Sequence, residues 1–157
     1  MKSRSGFTLV ELLIVVIIIA ILATVTLVIY AAQQRDANDN TRKGNVTVIS
    51  EALEKYYDNN HEYPSVRDLV NNYAGNTGSV VAAKLSIDAT DLVMPNMSGT
   101  NALSSTTASS SNDYITYSGP SDSSCQTTVG GGCQEYTLKY VEESSGNTIT
   151  IDSRHQI

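Results

Sequence analysis

Residues 7–32, FTLVELLIVVIIIAILATVTLVIYAA, hold 22 apolar residues in 26 and contain no lysine, arginine, glycine or proline. The 21 residues from Leu12 to Ala32 would make about 31 Å of α-helix, the thickness of a hydrocarbon core of about 30 Å. A chain carrying this run folds in two solvents. The 125 residues from Gln33 onward are only about one-third apolar, so the mean hydropathy of -0.13 averages a membrane-length helix with a hydrophilic remainder. Lys2 and Arg4 stand just before the run, which predicts a cytoplasmic amino terminus and places everything after Ala32 outside.

Three ordinary readings each explain part of this segment. A cleaved secretory signal has an apolar region of about 7 to 15 residues ending in an A-x-A-like site; here the run is longer and Ala20-Ile-Leu-Ala23 is wrongly spaced. A core helix fails because residues 12–23 are apolar all round and the rest of the chain could not surround them. A plain anchor explains length and orientation but not Glu11, since a carboxylate inside a spanning helix costs about 2.5–3.5 kcal/mol on insertion scales. Glu11 calls for a cation.

The string Gly6-Phe7-Thr8-Leu9-Val10-Glu11, following a short basic leader and opening an unbroken apolar helix, resembles the class III signal of type IV pilins and pseudopilins. The resemblance is tight over residues 2–32 and looser beyond. It implies that a prepilin peptidase cuts between Gly6 and Phe7, that the new amine of Phe7 is N-methylated, and that the apolar helix stays on the mature protein. It implies an inner-membrane precursor with a single span and its carboxy-terminal head outside. A pilus assembly platform would then move it into a homo-oligomeric helical filament, an extracellular pilus. Phe7 and Glu11 lie one turn apart, about 6 Å along the axis, so Glu11 of one subunit can meet the Phe7 amine of a staggered neighbour. Cutting removes Lys2 and Arg4 and moves the formal charge from -6 to -8 before the new amine is counted. Many major pilins carry a proline in the second half of this helix; Ala23 to Tyr30 has none.

Beyond the membrane, Val46, Ile49, Ala52, Leu53 and Tyr56 or Tyr57 recur at three and four residues, predicting that residues 33–59 continue the same helix with one stripe on a core. Gly44 and the Asn/Asp-rich Asp36–Asn40 are weak helix formers within it. Asp58-Asn-Asn60 and Tyr63-Pro64 end it. Ser65 to Asp68 reads as a cap opening a short helix over Val66–Tyr73, and Val80–Leu85 as either a helical turn or a short strand. Ser104–Asn112 is a small-polar tract expected as an exposed loop. Tyr114–Tyr117, Glu135–Val141 and Thr148–Ile151 alternate Tyr, Thr and β-branched residues, with Ser144–Asn147 as the turn between the last two. They predict a small antiparallel sheet whose Tyr136, Leu138 and Tyr140 face the helix stripe. The expected fold is α+β and pilin-like: leader 1–6, transmembrane or filament-core helix 7–32, amphipathic helix 33–59 and head 60–157.

Cys125 and Cys133 bracket QTTVGGG, and in an exported domain their default reading is a disulfide, in agreement with the resemblance. A metal site would need about four ligands, with only His61 and His155 as further candidates. Sixteen acids against ten bases give no basic surface for generic nucleic-acid binding. No catalytic constellation is evident: the histidines lack a nucleophile partner, Gly130–Gly132 lacks a phosphate-loop context, and Asp88-Ala-Thr-Asp91 lacks calcium-loop spacing. The chain therefore reads as a non-enzyme without cofactor, and every acid other than Glu11 as solvated surface. The implied uses are adhesion, twitching motility or DNA uptake through a type IV pilus, on a surface ligand the sequence does not identify. The alternatives are a pseudopilin or minor pilin of a type II secretion or competence system, and a membrane-anchored binding module that does not polymerise.

Overall fold

The computed structural model describes residues 6–71, 73, 75–108 and 114–155. Residues 1–5 of the leader, with Lys2 and Arg4, and residues 109–112 of the polar tract lie outside the described residues. Helix α1 runs unbroken over Leu9–Asn60, 52 residues or about 78 Å. Its first half is rich in Ile and Val, weak helix formers in water, but in lipid a helix is the form that satisfies every backbone group within one segment. Thr24 and Thr26 fit the same rule, donating their hydroxyls to the carbonyls of Ile21 and Leu22 at 2.8 Å. The stretch around Asp36–Asn40 and Gly44 stays helical as well.

The stripe forms as the periodicity predicts. Val46, Ile49, Ala52 and Leu53 are buried, and of the two tyrosines Tyr57 continues the stripe, lying against Tyr63 at 4.7 Å and stacked on His155 at 4.3 Å. α1 stops at His61, whose left-handed backbone (φ 60°) returns its N–H to the Tyr57 carbonyl, one residue pair before Tyr63-Pro64. His61 is thus a helix cap and His155 an aromatic partner, while Cys125 and Cys133 bond to each other.

The head then follows: β1 (Tyr63–Pro64), α2 (Val66–Leu69), α3 (Gly78–Leu85), a 3-10 turn (Ala89–Leu92), β2 (Leu103–Ser104), β3 (Ile115–Ser118), α4 (Ser123–Gln126), β4 (Gly132–Cys133), β5 (Thr137–Val141) and β6 (Thr148–Asp152). The main sheet has the order β2-β3-β5-β6, and β1 pairs separately with β4. In β5 and the residue before it, Tyr136, Leu138 and Tyr140 are buried on the helix side, as the alternation predicts.

Four expectations need correcting. The three expected strands pair antiparallel as β3, β5 and β6, but an unexpected strand, β2, joins β3 in parallel and makes the sheet mixed. Leu103–Ser104 is buried and hydrogen-bonded where an exposed loop was expected to begin, although Ser105–Thr107 are exposed. α2 is one turn long instead of reaching Tyr73: the Asn101 carboxamide takes the Leu69 carbonyl and that of Asn76 takes the carbonyls of Arg67 and Val70, acceptors a longer helix would have used itself. The ambiguous Val80–Leu85 is helix, with Val81, Ala82 and Leu85 inward. Finally, not every acid beyond Glu11 is solvated. Glu54 is buried in the core, Asp68 is tucked between Lys84 (2.7 Å) and the Gly130 N–H, and Asp39 is nearly covered. Asp88 and Asp91 cap the 3-10 turn.

The Cys125–Cys133 disulfide is wholly buried and closes the loop that carries α4 and β4. Gly119 is packed so tightly beneath it that a Cβ there would run into both sulfurs. Cys125→Ser with Cys133→Ser is expected to lower the head's stability by about 2–3 kcal/mol, the loop-entropy value for a nine-residue ring. Thermal melting of the detergent-solubilised chain checks this, and an unchanged melt refutes it.

Candidate functional site

Helix α1 begins abruptly. Thr8 is its N-cap, in extended conformation (φ -82°, ψ 151°), and its Oγ1 accepts from the Glu11 N–H at 3.3 Å. Glu11 answers by accepting at Oε2 from the Thr8 N–H (2.9 Å) and from the Thr8 hydroxyl (2.7 Å). This reciprocal capping box satisfies two donors that a helix start leaves orphaned. Its pattern, Thr8-x-x-Glu11, was readable in the sequence and was overshadowed by the spanning helix. The sequence reading gave Glu11 a cation as partner; within this chain its described partner is Thr8.

Gly6 and Phe7 lie in front of the cap in an exposed, irregular segment. A Cβ added at Gly6 would meet nothing within 4 Å, so the fold of this chain makes no demand for glycine there. Behind the cap, the large apolar side chains from Leu9 to Val25 that the structure describes are exposed, as are Ile29 and Tyr30. The head does not touch this surface: the most apolar window of α1 is 0% buried. By length and composition it can cross a membrane. Gly6, Phe7 and Glu11 therefore gather at one end of an apolar rod, with the disulfide in the head at its other end.

A family model described as the prokaryotic N-terminal methylation motif matches residues 1–27. Among curated proteins, type II secretion system core protein G of Pseudomonas aeruginosa (strain PAO1) is 35% identical over 66 residues, covering 42% of this chain and 46% of that protein. The amino-terminal stretch of this chain carries the prokaryotic N-terminal methylation motif. The chain spans less than half the length of that relative, and no solved structure matches. The fold, a long amino-terminal helix followed by a small mixed-sheet head, is an α+β, pilin-like arrangement.

Proposed function

We propose that this protein is the structural subunit of a type IV pilus. It is inserted as a single-span inner-membrane precursor with its head outside, cut between Gly6 and Phe7 by a prepilin peptidase, N-methylated on Phe7 and moved into a helical filament by an assembly platform. The observation that carries this reading is the apolar half of α1, which its own head leaves uncovered and which lipid and then neighbouring helices would cover. The exposed Gly6–Phe7 junction suits a peptidase, and the open space at Gly6 fits a reading in which that enzyme, not the fold, would require the small residue. Within the filament, Glu11 would leave its cap or share it to meet the Phe7 amine of a neighbour. The work is mechanical and needs no catalysis: adhesion, twitching motility or DNA uptake.

A second reading is favoured by the relative's name: a pseudopilin of a type II secretion system, polymerising through the same helix. Shearing surface filaments from cells and sequencing the amino terminus of their main protein separates the two. Methyl-Phe7 on this chain as the main band supports the pilus. Methyl-Phe7 confined to the envelope, with no such surface filament, supports the pseudopilin. An intact Met1 defeats both in favour of a membrane-anchored binding module. Gly6→Leu is expected to leave the leader in place, read as an unshortened intact mass; normal shortening would overturn the cleavage assignment.

A further inference from the structure

Between the apolar half of α1 and the first core residue, Val46, the helix passes through Gln33–Gly44. Six of these twelve residues, Asp36, Asn38, Asp39, Asn40, Thr41 and Gly44, are poor helix formers. Tertiary contacts meet the helix at this weak stretch. The turn between β5 and β6 reaches down onto it: the N–H groups of Glu143 and Ser144 donate to the Asp39 carboxylate at 2.7 and 2.9 Å. The Glu143 carboxylate accepts from the Asn38 carboxamide at 2.9 Å and from Arg42 at 3.2 Å. Arg42, itself buried, also bridges to Asp39 at 3.0 Å. The turn is built to hold its shape, with Gly146 in the left-handed region (φ 72°) and its N–H returned to the Glu142 carbonyl. Burial pushes the Asp39 carboxyl up, but bonds from Ser144, Glu143 and Arg42 outweigh it and hold its pKa below the ordinary aspartate value, so the acceptor is charged at neutral pH.

We propose that the β5–β6 turn is a clasp on the neck of α1: closed, it keeps residues 33–44 helical and makes head and apolar helix a single lever; open, it turns the neck into a hinge. A fully extended neck of that length would add about 20 Å between head and membrane. The clasp itself is a property of the single chain. Its use, fixing the height and direction of the head before subunits stack, rests on the filament reading above.

The test is hydrogen–deuterium exchange on the full chain in detergent micelles, comparing wild type with Asp39→Ala/Glu143→Ala. The variant is expected to exchange the amides of residues 36–46 at least tenfold faster while those of Leu138–Tyr140 in β5 keep their protection. Adding Gly44→Ala, at a position where a Cβ meets nothing within 4 Å, raises helix propensity and is expected to slow neck exchange several-fold again. Unchanged neck exchange would mean the helix holds itself, and equal loss of protection in β5 would mean the turn is only part of the core; either result overturns the clasp. Because exchange is read on micelle-embedded monomers, absence of filaments from wild-type cells would refute the filament reading and leave the clasp result standing.

Discussion

Glu11→Gln is expected to yield a subunit that inserts in the membrane and loses its leader normally yet builds at least tenfold less filament than wild type. Glu11 has one duty in this chain and, on the filament reading, a second that glutamine separates from it. As the third helical residue it caps Thr8, and a glutamine at that position can still accept from the Thr8 N–H. As a carboxylate in an apolar bundle it would neutralise the Phe7 amine of a neighbour, and glutamine cannot. Stranding that amine costs about 3–5 kcal/mol per contact, more than a hundredfold in association. Poor insertion cannot explain the loss, since removing a charge from a spanning helix favours insertion. Glu11→Leu removes both duties and should fail equally. Sheared filament protein, measured beside the processed membrane pool, gives the answer. If Glu11→Gln polymerises like wild type and only Glu11→Leu fails, Glu11 is a helix cap and the charge argument falls.

Where the sequence was legible, a single period or a single residue type carried the information. The stripe Val46, Ile49, Leu53 repeats at helical spacing, Tyr63-Pro64 forbids the helix from continuing, and Tyr136, Leu138, Tyr140 alternate as a half-buried strand must. The amino-terminal motif was legible because it is contiguous, lying within residues 1–27 and needing no group from elsewhere in the chain. What escaped depends on groups far apart in the chain. Leu103–Ser104 becomes a strand because β3 lies beside it, a pairing too short to leave a pattern. α2 stops early because carboxamides at Asn76 and Asn101 seize its carbonyls. The neck Gln33–Gly44 looks like a place to bend but is helical, and its partners lie in a turn more than 100 residues later. Glu54 looked solvated because one acid beside an apolar stripe carries no sign of the three donors waiting for it.

Those donors make Glu54→Leu the most destabilising change expected in the head. Burying leucine in place of a carboxylate ordinarily looks favourable, because a buried charge is costly. Here the carboxylate is already supplied: Tyr63 donates to Oε2 at 3.0 Å, Tyr136 to Oε1 at 3.0 Å and the Arg154 N–H to Oε1 at 3.1 Å. Burial, with the nearby Glu54 charge adding to it, pushes both phenols well above the usual tyrosine range, so they remain protonated donors at any ordinary pH. Leucine leaves these donors without their acceptor. Tyr136 can fall back on the Ser50 hydroxyl at 2.9 Å, but Tyr63 and Arg154 lose the bonds that tie β1 and the carboxy-terminal segment to α1. The stranded Tyr63 hydroxyl at about 1–3 kcal/mol, with a smaller loss of about 1 kcal/mol at the partly buried Arg154 N–H, gives about 2–4 kcal/mol, and at about 4–8 °C per kcal/mol the melt of a head this size should fall by about 10 °C or more. The sharper test is the second substitution. Adding Tyr63→Phe to wild type removes a good bond and should destabilise, whereas adding it to Glu54→Leu removes a stranded hydroxyl and should restore part of the lost stability. If Tyr63→Phe lowers the melting temperature equally in both backgrounds, the two side chains are uncoupled and the carboxylate is not what holds this corner of the core.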